Sequence, residues 1–224
     1  SADDDHGHGT HVSGIAAAAT DNAIGIAGLG WEASILPLKV LDSKGTGYFA
    51  GVADAIAHSV ASGAHIINLS VGPETMQSMD CPSYLQDEID EAYRAGVIIV
   101  AAGGNNGGAV EIPPANCRHV LGIAATTVED TVASYSASGR HVSAAAPGGG
   151  SYVDAVYSTW NNGHYRNDYG TSMATPHVAG LAALLVAHYP SYTPDEVASA
   201  ILDNARDLGS PGWDEYHGCG RIDA

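Results

Sequence analysis

Tyr169-Gly170-Thr171-Ser172-Met173-Ala174-Thr175-Pro176-His177-Val178-Ala179-Gly180 sets a serine between a glycine turn and a long Ala/Leu-rich run, predicted as a buried helix over 171–188. A serine hydroxyl is a weak nucleophile until a neighbouring base takes its proton and something holds the oxygen still. A helix N-terminus supplies the second need, because its free N–H groups favour the negative charge of acyl transfer. Taken alone, Gly-Thr-Ser before a helix is an ordinary N-cap. The reading sharpens when a second motif near the other end of the chain is set beside it.

That motif is Gly7-His8-Gly9-Thr10-His11-Val12-Ser13-Gly14, which opens an Ala-rich helical run predicted over 8–19. Two helix N-termini, one bearing serine and one histidine, can meet above the same edge of a parallel sheet, where imidazole takes the hydroxyl's proton. A metal reading competes, since His6, His8 and His11 with Asp3, Asp4 and Asp5 offer imidazoles and carboxylates. Glycines on both sides of His8 suit close backbone approach better than rigid ligation, and two independent motifs favour acyl transfer.

Together these runs resemble those of the subtilisin-like serine proteases, the subtilase family, and the similarity extends through essentially the whole chain. The resemblance implies an α/β, three-layer fold with a central, mainly parallel sheet flanked by helices. It implies a serine endopeptidase working through an acyl-enzyme, with His8 as general base and Ser172 as nucleophile. His11 is then expected to be a packing or hydrogen-bonding neighbour.

An oxyanion needs donors. Val97-Ile98-Ile99-Val100-Ala101-Ala102 is a continuous apolar, β-branched run of buried-strand type, and Gly103-Gly104-Asn105-Asn106-Gly107-Gly108 follows at its C-terminal end. Open α/β sheets place ligands at that end. The loop alone is a turn; the resemblance assigns Asn105 as the oxyanion asparagine. Family members more often carry alanine where Gly103 stands, a departure expected to loosen the loop.

The same resemblance assigns Gly45, Thr46, Gly47, Ser70, Val71 and Gly72 to backbone edges for an extended peptide, with Ala101 and Gly103 in the specificity pocket. The physical logic is strand addition, in which main-chain hydrogen bonds give affinity without reading side chains. A cysteine pair, Cys81 with Cys117, is implied too, leaving Cys219 without a partner. Thr20, Asn22, Ile24 and Ile26 match a loop that wraps structural Ca2+ with oxygen atoms; four donors fall short of the six to eight this cation takes. No organic cofactor is implied.

The 224 residues are enough for one domain with a substantial core, and their 28 glycines and single Phe describe tight backbone packing. A net charge of −17 with eight Lys plus Arg argues against nucleic acid and anionic membrane as partners. No apolar run approaches the ~20 residues that cross a bilayer. Protein or peptide substrates, a monomer and an extracellular setting are expected. Further strands are predicted over 34–41, 65–70, 120–126 and 142–146, and helices over 49–62, 84–94 and 194–205.

The family's triad also needs an aspartate that orients the histidine. It normally ends an apolar strand well before the histidine motif, and seven residues precede His8 here. Asp3, Asp4 and Asp5 match acids that commonly precede the motif and are too close to reach behind the ring. The expectation is therefore a single catalytic domain, 1–224, incomplete at both ends and lacking that aspartate. An inactive subtilase-fold remnant or binding protein is the alternative.

Overall fold

A computed structural model describes residues 3–224. In chain order the elements are α1 (His8–Ala17), α2 (Phe49–Ala61), β1 (Ile66–Leu69), α3 (Ser83–Arg94), β2 (Ile98–Ala102), β3 (Gly108–Ala109), β4 (Val120–Thr126), β5 (Ala137–Ser138), β6 (Val142–Pro147), β7 (Val156–Trp160), β8 (His164–Asp168), α4 (Thr171–His188) and α5 (Pro194–Asp203). Strands β1, β2, β4 and β6 form a parallel sheet in that order.

The pleat of β2 sorts the core into two layers. Ile98 and Val100 pack with Ala174, Val178 and Leu181 of α4 and Val197 and Ile201 of α5. Ile99 and Ala101 face the other way, onto Val52 and Ile56 of α2 and Leu85 and Ile89 of α3. A strand covered on both faces reads as an unbroken apolar run rather than an alternating one, which is the pattern the sequence carries. The architecture is the expected three-layer α/β/α arrangement.

Local chemistry sets the element ends. α1 stops at Ala17, two residues earlier than predicted, because the chain doubles back. The amides of Gly28, Leu29 and Gly30 donate to the carbonyls of Ala18, Ile15 and Ala16, taking the acceptors a further turn would use. α5 begins with a capping box between Thr193 and Glu196 and with Pro194 in its first turn. Cys81 and Cys117 are joined, with Cα atoms 5.3 Å apart, and Cys219 is free.

Two sequence readings need correction. Residues 34–41 do not form a strand; beyond an isolated bridge from Leu41 to Gly47 the segment finds no pairing partner among the described residues. Its Ile35 and Leu36 are 45% and 47% exposed, so an apolar, strand-like pattern does not by itself supply a ladder. Conversely, residues 156–168 form an antiparallel hairpin, β7 on β8, turning through Asn161–Gly163. Asn162 takes a left-handed conformation there, one that asparagine tolerates.

At the far edge of the sheet the tail pairs with β6. The Ala145 amide donates to Gly220 and the Ile222 amide to Ala145, while Asp130 holds Arg221 at 2.8 Å.

Candidate active site

Ser172 lies in the first turn of α4, where helix amides have no intrahelical acceptor. Pro176, four residues on, lacks the N–H that would bond the Ser172 carbonyl. Ser70, just past β1, fills the gap: its hydroxyl donates to the Ser172 carbonyl at 2.9 Å. The Ser172 hydroxyl in turn points at the Ser70 carbonyl, 3.3 Å away, and the Asn68 amide donates to the Ser70 hydroxyl at 2.9 Å. The Ser172 turn is thus gripped by the end of β1, a coupling that the helix motif alone does not disclose.

Asn105 follows β2 and is exposed. Its side-chain carbonyl accepts from the Thr171 amide (2.9 Å) and the Thr171 hydroxyl (2.8 Å), which fixes the amide's orientation and leaves Nδ2 as a donor. Gly170 beside it sits at φ +150°, a conformation that side chains rarely adopt, and a Cβ there would reach only contact distance, 3.4 Å, from Nδ2. Gly103 answers to a different constraint. A Cβ on it would sit 2.9 Å from the Ile123 carbonyl, and its own carbonyl lies 2.9 Å from His141 Nε2. Glycine here lets the loop lie close against the neighbouring strand.

His8 is the first residue of α1, and α1 packs directly on α4 through Val12, Ile15 and Met173. Burial holds the His8 imidazole below its ordinary range, with His6 and His11 acting in the same sense and Asp168 and Asp4 opposing. A neutral imidazole near pH 7 is the form that accepts a proton.

Asp4 and Asp5 are engaged elsewhere. Asp5 pairs with Lys39. Asp4 accepts from the amides of Gly7 and Thr10 and from the Thr10 hydroxyl, each at 2.7 Å, capping the start of α1. Burial alone would raise its pKa, but these donors outweigh it and bring it to about 2.

The remaining assignments fall as follows. His6 lies between His8 and Gly45: its ring is 6.4 Å from that of His8, and its Nε2 would be 3.5 Å from a Cβ on Gly45. Gly72 and Gly104 both approach Ile112, Ser70 touches the Ser172 turn, and Ala101 is buried in the core against α2 and α3. His11 is turned away into the β7–β8 hairpin, so the three histidines do not converge as ligands; no metal-holding group of His, Cys, Asp or Glu forms among the described residues. Thr20, Asn22, Ile24 and Ile26 share the loop after α1, where Asn22 Oδ1 already accepts the Ile24 amide at 2.9 Å. Four neutral oxygens do not by themselves fit Ca2+.

Comparison with known proteins agrees with this geometry. The family profile described as the subtilase family, Peptidase S8, matches residues 1–220. The chain belongs to the subtilase family. Among relatives of this subtilase, thermitase of Thermoactinomyces vulgaris is 39% identical, over 98% of this chain and 74% of its own length. A thermophilic serine proteinase of Bacillus sp. strain AK1 is 41% identical over 97% of this chain but 51% of its own length, so the chain spans about half of that relative. A solved protease structure from Pseudoalteromonas arctica superposes with a TM-score of 0.87 at 35% identity, covering 96% of this chain and 68% of that one.

Proposed function

We propose that this subtilase is a serine endopeptidase that hydrolyses peptide bonds of proteins through an acyl-enzyme on Ser172. The observation that carries the reading is Asn105 pinned by Thr171 beside the Ser172 turn, its Nδ2 left as a donor. In the first half-reaction His8 takes the Ser172 proton while Oγ bonds to the peptide carbonyl carbon. The carbonyl oxygen becomes negative and is held by Asn105 Nδ2 and the Ser172 amide. The C–N bond then breaks, and the proton on His8 passes to the leaving amine. In the second half-reaction water repeats the sequence: His8 takes its proton, the hydroxyl adds to the acyl carbon, and Ser172 departs with the proton returned.

The fields of Asp168 and Asp4 favour the imidazolium that forms along the way. Gly45-Thr46-Gly47 and Ser70-Val71-Gly72 receive an extended peptide by strand addition. The disulfide supports an oxidising, extracellular setting, and no helix of the described residues is long and apolar enough to cross a membrane. The test is a fluorophosphonate probe followed by peptide mapping. Labelling of Ser172 that disappears in Ser172→Ala and falls steeply in His8→Ala is expected; an unlabelled, folded protein would favour a binding role for the fold.

A further inference from the structure

His11 takes no part in the proton transfers above, yet it is 0% exposed. Its Nε2 lies 3.2 Å from the carbonyl oxygen of Val156 and 3.0 Å from that of Arg166, one on each strand of the β7–β8 hairpin. Carbonyl oxygens only accept, so Nε2 carries the proton and the neutral ring is in its Nε2–H tautomer. Nδ1 is then a buried acceptor without a partner. An apolar side chain would fill this space with no orphaned nitrogen but would tie neither strand.

The rest of the contact is built to the same end. Ser158 Oγ donates to the His11 carbonyl at 2.7 Å, and Thr159 Oγ1 to the Thr10 carbonyl at 2.8 Å, so bonds run both ways between helix and hairpin. Gly7 and Gly14 flank His11 on the same face of α1. A Cβ at Gly7 would lie 2.2 Å from Trp160, and one at Gly14 2.2 Å from Thr159 Oγ1, so both positions must stay bare for the approach to close. The hairpin's second strand ends at Asp168, and the chain reaches Ser172 four residues later.

We propose that His11 is a positioning residue: it latches the first turn of α1, which carries His8, to the hairpin that delivers Ser172, and so sets the base against the nucleophile. This rests on the Ser172–His8 reading above. Burial pulls the basicity of His11 down, in keeping with a ring that stays neutral while it works.

The test begins with the unaltered chain. Long-range 1H–15N correlation spectra should show His11 as the Nε2–H tautomer near pH 7.5; the Nδ1–H tautomer would overturn the proposal. Next, the rate of Ser172 modification by a fluorophosphonate is compared in His11→Leu, which has no donor, and His11→Gln, which carries an N–H to nearly the same place. A displacement of about 1 Å costs on the order of 10²-fold, so His11→Leu should label about 10- to 100-fold more slowly, with His11→Gln recovering most of the loss. For a peptide substrate kcat should fall while KM holds, because the peptide edges lie on other elements. A folded His11→Leu that labels at the unaltered rate would sink the latch. If His11→Leu does not fold, His11→Asn replaces it, since its shorter amide cannot span both carbonyls; unchanged labelling there is equally fatal. Failure of the unaltered chain to label would instead count against the Ser172–His8 reading, and the tautomer measurement would still judge the latch.

Discussion

Asn105 has two polar ends, and Thr171 occupies only one of them. On the proposed mechanism, replacing it with alanine removes an oxyanion donor, so Asn105→Ala should lower kcat by about 10²–10³-fold with little change in KM. Steady-state kinetics on a chromogenic peptide check this; a fall confined to KM would place the amide in ground-state binding. In the sequence Asn105 stood out only through the family resemblance, since the loop after the buried strand reads by itself as a turn. The residues that hold Asn105 and the Ser172 turn were not legible. Thr171 reaches across 66 residues of sequence and Ser70 across 102, and no local pattern encodes such a meeting. Pro176 is the one clue in the sequence itself, since a proline inside a helix always frees a carbonyl that something else must satisfy. The close contact at Gly103 was hidden for a related reason: the Ile123 carbonyl that crowds a Cβ there belongs to a neighbouring strand. Gly103→Ala should therefore cost about 1–3 kcal/mol, measured by urea denaturation, and an unchanged midpoint would show that the loop yields.

At the scale of elements, helices and buried strands were read to within a few residues because each carries its own period and caps. The failures are both about partners. Residues 34–41 have a strand's composition without a neighbour to pair with, and composition cannot report a missing neighbour. The β7–β8 hairpin is absent from the predicted elements although β-forming residues flank an Asn-Asn-Gly turn, a recognised hairpin signal. Removing the cross-link between α3's leading loop and the segment before β4 gives a clean test of tertiary constraint. The double variant Cys81→Ala, Cys117→Ala opens a link spanning 36 residues and should lose roughly 3–4 kcal/mol on the chain-entropy estimate. Equal urea midpoints for the two proteins would show that the unfolded chain is already compact there.

Over the whole molecule, protons set the limits of stability. His8, His11, His141 and His177 all have imidazoles held below their ordinary value of 6.5, in each case chiefly by burial. As pH falls past that value the unfolded chain takes protons first, so stability is full above about 6.5 and declines below it. Asp4 adds a second, lower window, from 3.8 down to about 2, through which its capping bonds are lost. Protonation also trims the −17 charge and eases self-repulsion, an opposing effect that salt screens. In about 1 M salt, where the Debye length is about 3 Å, Tm should therefore hold from pH 8 to 7 and drop steadily from 6.5 to 5; a rise over that interval would show that repulsion dominates. Adding a calcium chelator should leave Tm of this chain unchanged, since the 20–26 loop offers too few oxygens, and a fall of several degrees would reveal further ligands.

The two borders of the parallel sheet are finished differently. Beyond β6 the tail residues 220–222 occupy the border, whereas no described strand pairs with the outer side of β1. An unpaired border is a template for another copy, and the parallel sheet has one such border among its described strands. Two copies meeting there would use the same surface and close about a two-fold axis, leaving no bare border of this sheet for a third to hold. Crowding this protein should thus populate pairs and then stop, and sedimentation at rising concentration would register a plateau where a sheet with two bare borders would keep growing into fibres.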